Sequence, residues 1–263
     1  MAKRFLLLGL ALALAPTLHA QRDFPFPSDE YFGGGIGYTP TFMMFNLAET
    51  YPFNPTGLDS DSTGLLGSNG LGFSREVIGK LGSMLVIHGA EGFGNITGNW
   101  RVGAYVGLGS KSITRTDTVG PAPDVVVDLK LSFMTASASI ELVIPLFSNL
   151  EIAAGSLFGA SRAIIQFAIS NIPDAGWENQ YTFTNIDGNN YAVALSGTFF
   201  SFQPYVAVKL QFLNRVGLRV SGGYHVGTLP TNQWKLNGFR KILATSDSNF
   251  NAFAVRVMLY MGI

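Results

Sequence analysis

No cysteine occurs anywhere in the 263 residues. That excludes a disulfide scaffold, a thiol nucleophile, a thiolate metal site and a lipidated N-terminal cysteine. Charge is scarce too: 13% of residues are Asp, Glu, Lys or Arg, about half the share of ordinary soluble domains. Lys+Arg 17 balance Asp+Glu 17, so no basic surface points to nucleic acid. Histidine is limited to His19, His88 and His225, and a metal site needs three or four converging ligands; no metal is expected. Beyond the first 20 residues no uninterrupted apolar run approaches the ~18 residues of a spanning helix. If this chain enters a membrane it must do so as a closed barrel, because only closure satisfies every backbone donor and acceptor in lipid.

What remains is apolar and rich in glycine: 47% hydrophobic residues and 31 glycines. Residues 1–20, MAKRFLLLGLALALAPTLHA, place Lys3 and Arg4 before an apolar run from Phe5 to Ala15 and end on Leu18-His19-Ala20. This reads as a secretory leader cut after Ala20. The proline-rich QRDFPFPSDE, 21–30, reads as an extended lead-in, and 31–263 as a single all-β domain.

The dominant period in that domain is two. In RVGLRVSGGYHV, Arg215 to Val226, the even positions Val216, Leu218, Val220, Tyr224 and Val226 are apolar, while Arg215, Arg219, Ser221 and His225 share the other face. NWRVGAYVGLGSK repeats the pattern, with Trp100, Val102, Ala104, Val106 and Leu108 opposite Arg101, Tyr105 and Lys111. Such alternation marks half-buried β-strands. Strand-like segments fall near 31–45, 82–94, 98–112, 124–144, 149–170, 190–212, 215–227 and 249–262. In the fourth, Asp128, Lys130 and Ser132 lie in one phase and Thr135, Ser137, Ser139 and Glu141 in the other. The flip near Phe133–Met134 predicts a β-bulge. Pro204, inside the sixth, predicts another bulge or kink.

The links alternate in length. NITGN (Asn95 to Asn99), PLFSN (Pro145 to Asn149) and LNR (Leu213 to Arg215) are tight joints; 46–81, 113–123, 171–189 and 228–248 are long and rich in Gly, Pro, Asn, Asp and Ser. Outer-membrane barrels have this asymmetry, with tight turns on one side and longer loops on the other. The fold expected is an antiparallel up-and-down closed β-barrel of about eight strands, or ten if a long link pairs. Within the first long link, short helices are expected around Ser60 to Leu66 and Ser74 to Lys80. Asp59, Asp61 and Ser62 cluster oxygen donors there, but no EF-hand glycine and closing glutamate follow, so calcium is not expected.

On these features the chain resembles small bacterial outer-membrane up-and-down β-barrels over roughly 31–263. Such barrels finish on a strand with a terminal aromatic; here FNAFAVRVMLYMGI carries Tyr260 near its end and closes on Ile263. The resemblance implies localisation in the outer membrane, with the lipid bilayer and the envelope insertion machinery as partners. It supplies no activity and leaves the oligomeric state open.

If the polar phases face inward, Arg101, Lys111, Asp128, Lys130, Glu141, Glu151, Arg162, Lys209, Arg219 and Arg256 share one lumen. An eight-stranded barrel is just wide enough inside for side chains to fill it. The charges must then pair, since each unpaired buried ion costs several kcal/mol. Two uses follow: an ion-pair network that rigidifies the barrel, or a narrow, weakly anion-preferring pore with minor small-solute passage. The alternative is a soluble secreted or periplasmic barrel that turns its apolar rows inward around an apolar ligand. Catalysis has no assigned residues. Ser221 and His225 lie four apart on one strand face, about 13 Å, too far for the proton transfer of an acyl hydrolase. GGGIG, Gly33 to Gly37, lacks the Lys-Ser/Thr of a phosphate loop, and no cofactor is expected.

Overall fold

A computed structural model describes residues 34–47, 80–97, 99–117, 125–147, 149–170, 191–213, 215–242 and 247–262. The leader, the 21–30 lead-in, the 60–66 helix and the Asp59–Asp61 cluster lie outside the described residues, as does most of the 74–80 helix; residues 80–82 are helical.

The strands are β1 (Gly34–Tyr38), β2 (Thr41–Phe45), β3 (Leu85–Thr97), β4 (Trp100–Asp117), β5 (Val125–Phe147), β6 (Leu150–Ser170), β7 (Tyr191–Leu213), β8 (Val216–Leu229), β9 (Lys235–Leu236), β10 (Arg240–Lys241), β11 (Ser248–Asn249) and β12 (Ala252–Gly262). β1 and β2 form one stave. Both pair with β12 and with β3 in a single register, Tyr38 opposite Leu259 and Ala90, Thr41 opposite Arg256 and Ile87. The break between them falls at Pro40, which has no N–H for the ladder. Its carbonyl still accepts from Val257 N at 3.1 Å.

From β3 each strand pairs antiparallel with the next through β8, β8 pairs with β12, and β12 returns through β1 and β2 to β3. The result is a closed, eight-staved, up-and-down barrel. Closure leaves no sheet edge where the ring is complete. β3–β4, β5–β6 and β7–β8 are joined by two-residue links, and the longer connections all leave the opposite end.

Side chains alternate without a slip between these ends. β4 and β5 pair continuously from Trp100–Leu142 to Asp117–Val125, with Gly109 opposite Phe133 and Leu108 opposite Met134. The expected bulge at Phe133–Met134 is therefore absent. What changes there is the surroundings. Below, the apolar residues of β5 are the outward Met134, Ala136, Ala138 and Ile140; above, they are the inward Phe133, Leu131, Leu129 and Val127, all buried. Likewise Pro204 causes no register shift: Phe202 pairs with Val226 and Tyr205 with Gly223, while the rungs to β8 at Gln203 and Pro204 are missing. A proline pointing outward removes a donor but not a residue. Register shifts occur at Asn95/Thr97, Pro145/Phe147 and Gln211/Leu213, all beside the short turns.

Above the inversion the barrel encloses an apolar core. Phe45, Leu85, Ile87, Leu131, Phe133, Ile165, Phe199, Leu229, Trp234 and Phe250 pack together there. Phe199 and Phe250 stack with centroids 5.0 Å apart. The link after β8, one of the long links that the sequence allowed to pair, is a folded cap. β9 and β10 form a hairpin turned at Asn237 (φ 48) and Gly238 (φ 82), positive angles that Asn and Gly adopt readily. β9 adds to β7, with Leu195 opposite Leu236, and β11 adds to β8. Trp234 is fully buried and its Nε1 donates to Ser248 Oγ at 2.9 Å.

Trp234→Ala should remove about 3–5 kcal/mol of stability, read as a lowered urea midpoint in detergent micelles. Near this cap, Thr231 N and Oγ1 both donate to Asp247 Oδ1 at 2.6 Å. These bonds hold the Asp247 carboxyl below its ordinary range. Stabilisation from a depressed carboxyl is present above the unfolded pKa and lost as pH falls through the folded one. The Thr231 amide resonance should titrate with a midpoint below about 3.9, and the titration should vanish in Asp247→Asn.

Candidate functional site: the charged lumen

Toward the short-turn end the inward phase turns from apolar to charged. Arg101 on β4, Glu141 on β5, Glu151 on β6, Lys209 on β7, Arg219 on β8 and Arg256 on β12 all point inward and are buried. Arg101 sits level with Glu141, and Glu151 with Lys209, as direct cross-strand partners. Lys209 is in turn opposite Arg219. Two of these three cross-strand neighbours are opposite in charge, and the third, Lys209 beside Arg219, sets two cations side by side that the carboxylates must serve.

The resulting network is continuous. Arg101 Nη1 reaches Glu151 Oε1 at 2.6 Å and Glu141 Oε2 at 3.6 Å; Lys209 Nζ lies 3.3 Å from Glu151 Oε1. Arg219 divides its two terminal nitrogens between Glu91 Oε1 and Glu141 Oε1, each at 2.6 Å. Arg256 Nη1 is 3.3 Å from Glu91 Oε2. Tyr205 donates its hydroxyl to Glu141 Oε1 at 2.7 Å, and Arg101 Nε donates to Asn95 Oδ1 at 3.0 Å. Four cations thus share three carboxylates. Aromatic faces take part of the excess: the Arg101 guanidinium lies 4.7 Å from the Phe93 ring centre and that of Arg256 4.3 Å from Tyr205. Such contacts gain strength when desolvated. Room for these rings comes from glycine. A side chain at Gly217 would collide with the Tyr260 hydroxyl, and one at Gly107 with that of Tyr105, 2.5 Å away.

Between this charged tier and the apolar core lies a tier of hydroxyls. Ser161 Oγ lies 3.1 Å from Thr135 Oγ1 and 2.9 Å from Ser201 Oγ, donating to one and accepting from the other, and Thr41 Oγ1 is 2.8 Å from the Tyr105 hydroxyl. The void lined by Thr41, Tyr105, Gln203 and His225 is about 10 Å³, scarcely space for one water. His225 presents its ring edge to Phe133 at 5.7 Å. Among the described residues no serine hydroxyl bonds it, so the Ser221/His225 acyl-hydrolase geometry does not form.

Four residues expected in this network stand elsewhere. Asp128 and Lys130 lie in the outward phase of β5, opposite the buried Val127, Leu129 and Leu131, because the strand keeps its register through Phe133. Arg162 is exposed on the outer face of β6 between buried Ser161 and Ala163. Lys111 does point inward, but near the long-link end, where its Nζ donates to Lys80 O (2.6 Å), Ser83 Oγ (3.1 Å) and Met84 O (3.3 Å). One acid was missed. Glu91 shares the phase of Leu85, Ile87 and Phe93, but its outward neighbours His88, Ala90, Gly92 and Gly94 are too small or polar to make the alternation obvious.

The outer wall is the complement of the lumen. Outward residues are apolar from Trp100 to Leu108 on β4, from Phe200 to Phe212 on β7 and from Phe253 to Met261 on β12; on β6, Leu150 to Ala160 includes one serine, Ser156. The spans on β4, β6 and β12 match the ~9–11 residues of a tilted membrane-crossing strand, and that on β7 is slightly longer. Above them β4 continues with Ser110, Ser112, Thr114 and Thr116.

No known protein family model and no curated protein matches this sequence. Among solved structures the chain is similar to Neisserial surface protein A, at 12% identity over 88% of this chain and 97% of that one, with TM-score 0.43. It is also similar to Ail, the attachment invasion locus protein of Yersinia pestis, in complex with the heparin analogue sucrose octasulfate, at 10% identity over 86% and 95%, with TM-score 0.36. A third is CarO2 of Acinetobacter baumannii, at 11% identity over 86% and 99%, with TM-score 0.27.

Glu141 accepts from Arg219 and Tyr205 and faces Arg101, so Glu141→Gln leaves two guanidinium groups short of a counter-charge in a buried tier. The expected cost is about 3–5 kcal/mol. The exposed control Arg240→Gln should stay within about 0.5 kcal/mol; urea unfolding in micelles compares the two.

Proposed function

We propose that this chain is an outer-membrane β-barrel with a structural or interaction role, its lumen filled by a rigidifying ion-pair network and closed to solutes. The observation that carries this reading is the pairing of an apolar outer belt, one membrane crossing long, with a charged interior. Val216, Leu218, Val220 and Val226 point outward while Arg219, Ser221 and His225 point in. A soluble barrel holding an apolar ligand needs the reverse. Three tiers fill the lumen in series: ion pairs, hydroxyls and the Phe133–Phe199–Phe250 core. A hydrated ion finds no path through an apolar tier of that kind. The staves β4 to β7 and the β9–β10 hairpin project past the belt and offer a polar outer surface to partners beyond the membrane.

Cell fractionation should recover the chain with the outer membrane and release it only with detergent. Planar bilayers containing it should show no conductance steps; recovery in the aqueous periplasm, or steady channel openings, contradicts the proposal. Arginine at mid-belt should cost about 2–4 kcal/mol, so Val206→Arg should destabilise the vesicle-inserted barrel by that amount while Ser112→Arg, above the belt, should be near neutral.

A further inference from the structure

On the outer wall a groove of about 660 Å³ crosses β3 to β6 at the top of the apolar belt. That volume lies within the ~300–1,000 Å³ of small-molecule sites. Its floor is one cross-strand row, Ala90, Val106, Ala136 and Ala160. Tyr38 and Phe200 continue the same row at either end. Tyr38 stands up as a wall of the groove, 53% exposed, whereas Phe200, 67% exposed, lies just beyond its lining. Behind Tyr38, its hydroxyl is 2.5 Å from His88 Nδ1, and the two rings stack 6.2 Å apart.

The upper lip holds the decisive residue. Arg162 is the first outward side chain of β6 above the apolar belt, with Thr198 directly opposite it on β7. No ion pair or hydrogen bond links it to another described residue. A snorkelling arginine at a membrane boundary is ordinary. An unpaired one at the mouth of an acyl-sized apolar groove has charge and shape complementary to one class of molecule. Its guanidinium fork matches two phosphate oxygens, and a hydrocarbon chain descending from that phosphate runs directly over the alanine floor.

We propose that this groove binds a phosphate-bearing, acylated membrane lipid, with Arg162 and the Thr198 hydroxyl holding the phosphate and Ala136, Val106 and Ala90 seating an acyl chain. The proposal rests on the membrane reading above. It makes Arg162 a binding residue rather than a member of the lumen network.

The test uses the full chain folded into phosphatidylcholine nanodiscs doped with either dioleoylphosphatidic acid or dioleoylglycerol, which share chains and differ by the phosphate. Native mass spectrometry counts the lipid retained on the released barrel. Phosphatidic acid should be retained about tenfold more strongly than dioleoylglycerol, the worth of one charge-assisted contact. Arg162→Gln should abolish that preference, Ala136→Leu should weaken retention of both lipids, and Arg240→Gln should change neither. Added inorganic phosphate should not displace the lipid, because it lacks the chain. Equal retention of the two lipids, wild-type preference in Arg162→Gln, displacement by inorganic phosphate, or a lipid-free dimer held through the groove overturns the proposal. Failure of the chain to insert into nanodiscs overturns the membrane reading as well, whereas insertion without lipid preference overturns only the lipid site.

Discussion

Which way each side chain faces is fixed here by a hydrogen-bonded ladder that does not slip between the short turns and the far ends of the strands. β5 keeps one register against β4 from Leu142 to Val125 and against β6 from Ile144 to Val126. With the register fixed, only the surroundings can vary along a strand. Where the outside is apolar, the inside carries Glu141, Ser139 and Ser137; where the outside carries Ser132 and Lys130, the inside carries Phe133 and Leu131. One set of staves serves as an inverted barrel in its lower part and as an ordinary water-facing one above.

The inverted part creates the electrostatic problem that the network answers. A charge in a narrow lumen has little water, and its partner must arrive from a neighbouring stave at the same level. Glu141 and Glu91 each serve two arginines, so removal of one acid exposes more than one cation. The aromatics Phe93, Tyr105, Tyr205 and Tyr260 fill the remaining cross-section and lie against interior glycines. Charge, ring and glycine are therefore parts of one packing solution, and the apolar core above seals it from the far side.

Strand positions and the tight joints follow from patterns visible in the residues: period two, NITGN, PLFSN and LNR; the break of the 31–45 segment at Pro40 was not read from them. Six members of the lumen network, Arg101, Glu141, Glu151, Lys209, Arg219 and Arg256, could be read from phase alone. Asp128, Lys130 and Arg162 could not, because a change of solvent along a strand leaves the same one-dimensional trace as a bulge. Strand length separates the two. β5 has 23 residues, far more than the ~9–11 a bilayer needs, and the surplus had to face water. The hairpin at Asn237-Gly238 was legible in principle, since Asn-Gly is a strong turn signal, but its flanking strands are two residues each. The partners of Trp234 and the groove beneath Arg162 come from residues far apart in the chain and have no local signature.

The unbroken register of β5 decides which face each of its residues presents, and the absence of cysteine makes that directly measurable. Single cysteines at successive positions from 126 to 144, spin-labelled in lipid vesicles, report oxygen and aqueous-relaxant accessibility residue by residue. Accessibility should keep period two across Phe133–Met134: even positions 134 to 144 should meet lipid, 130 and 132 should meet water, the buried 128 should stay low, and odd positions should be protected. A reversal at 133–134 that exposes 127, 129 and 131 to water and protects 130 and 132 would contradict it.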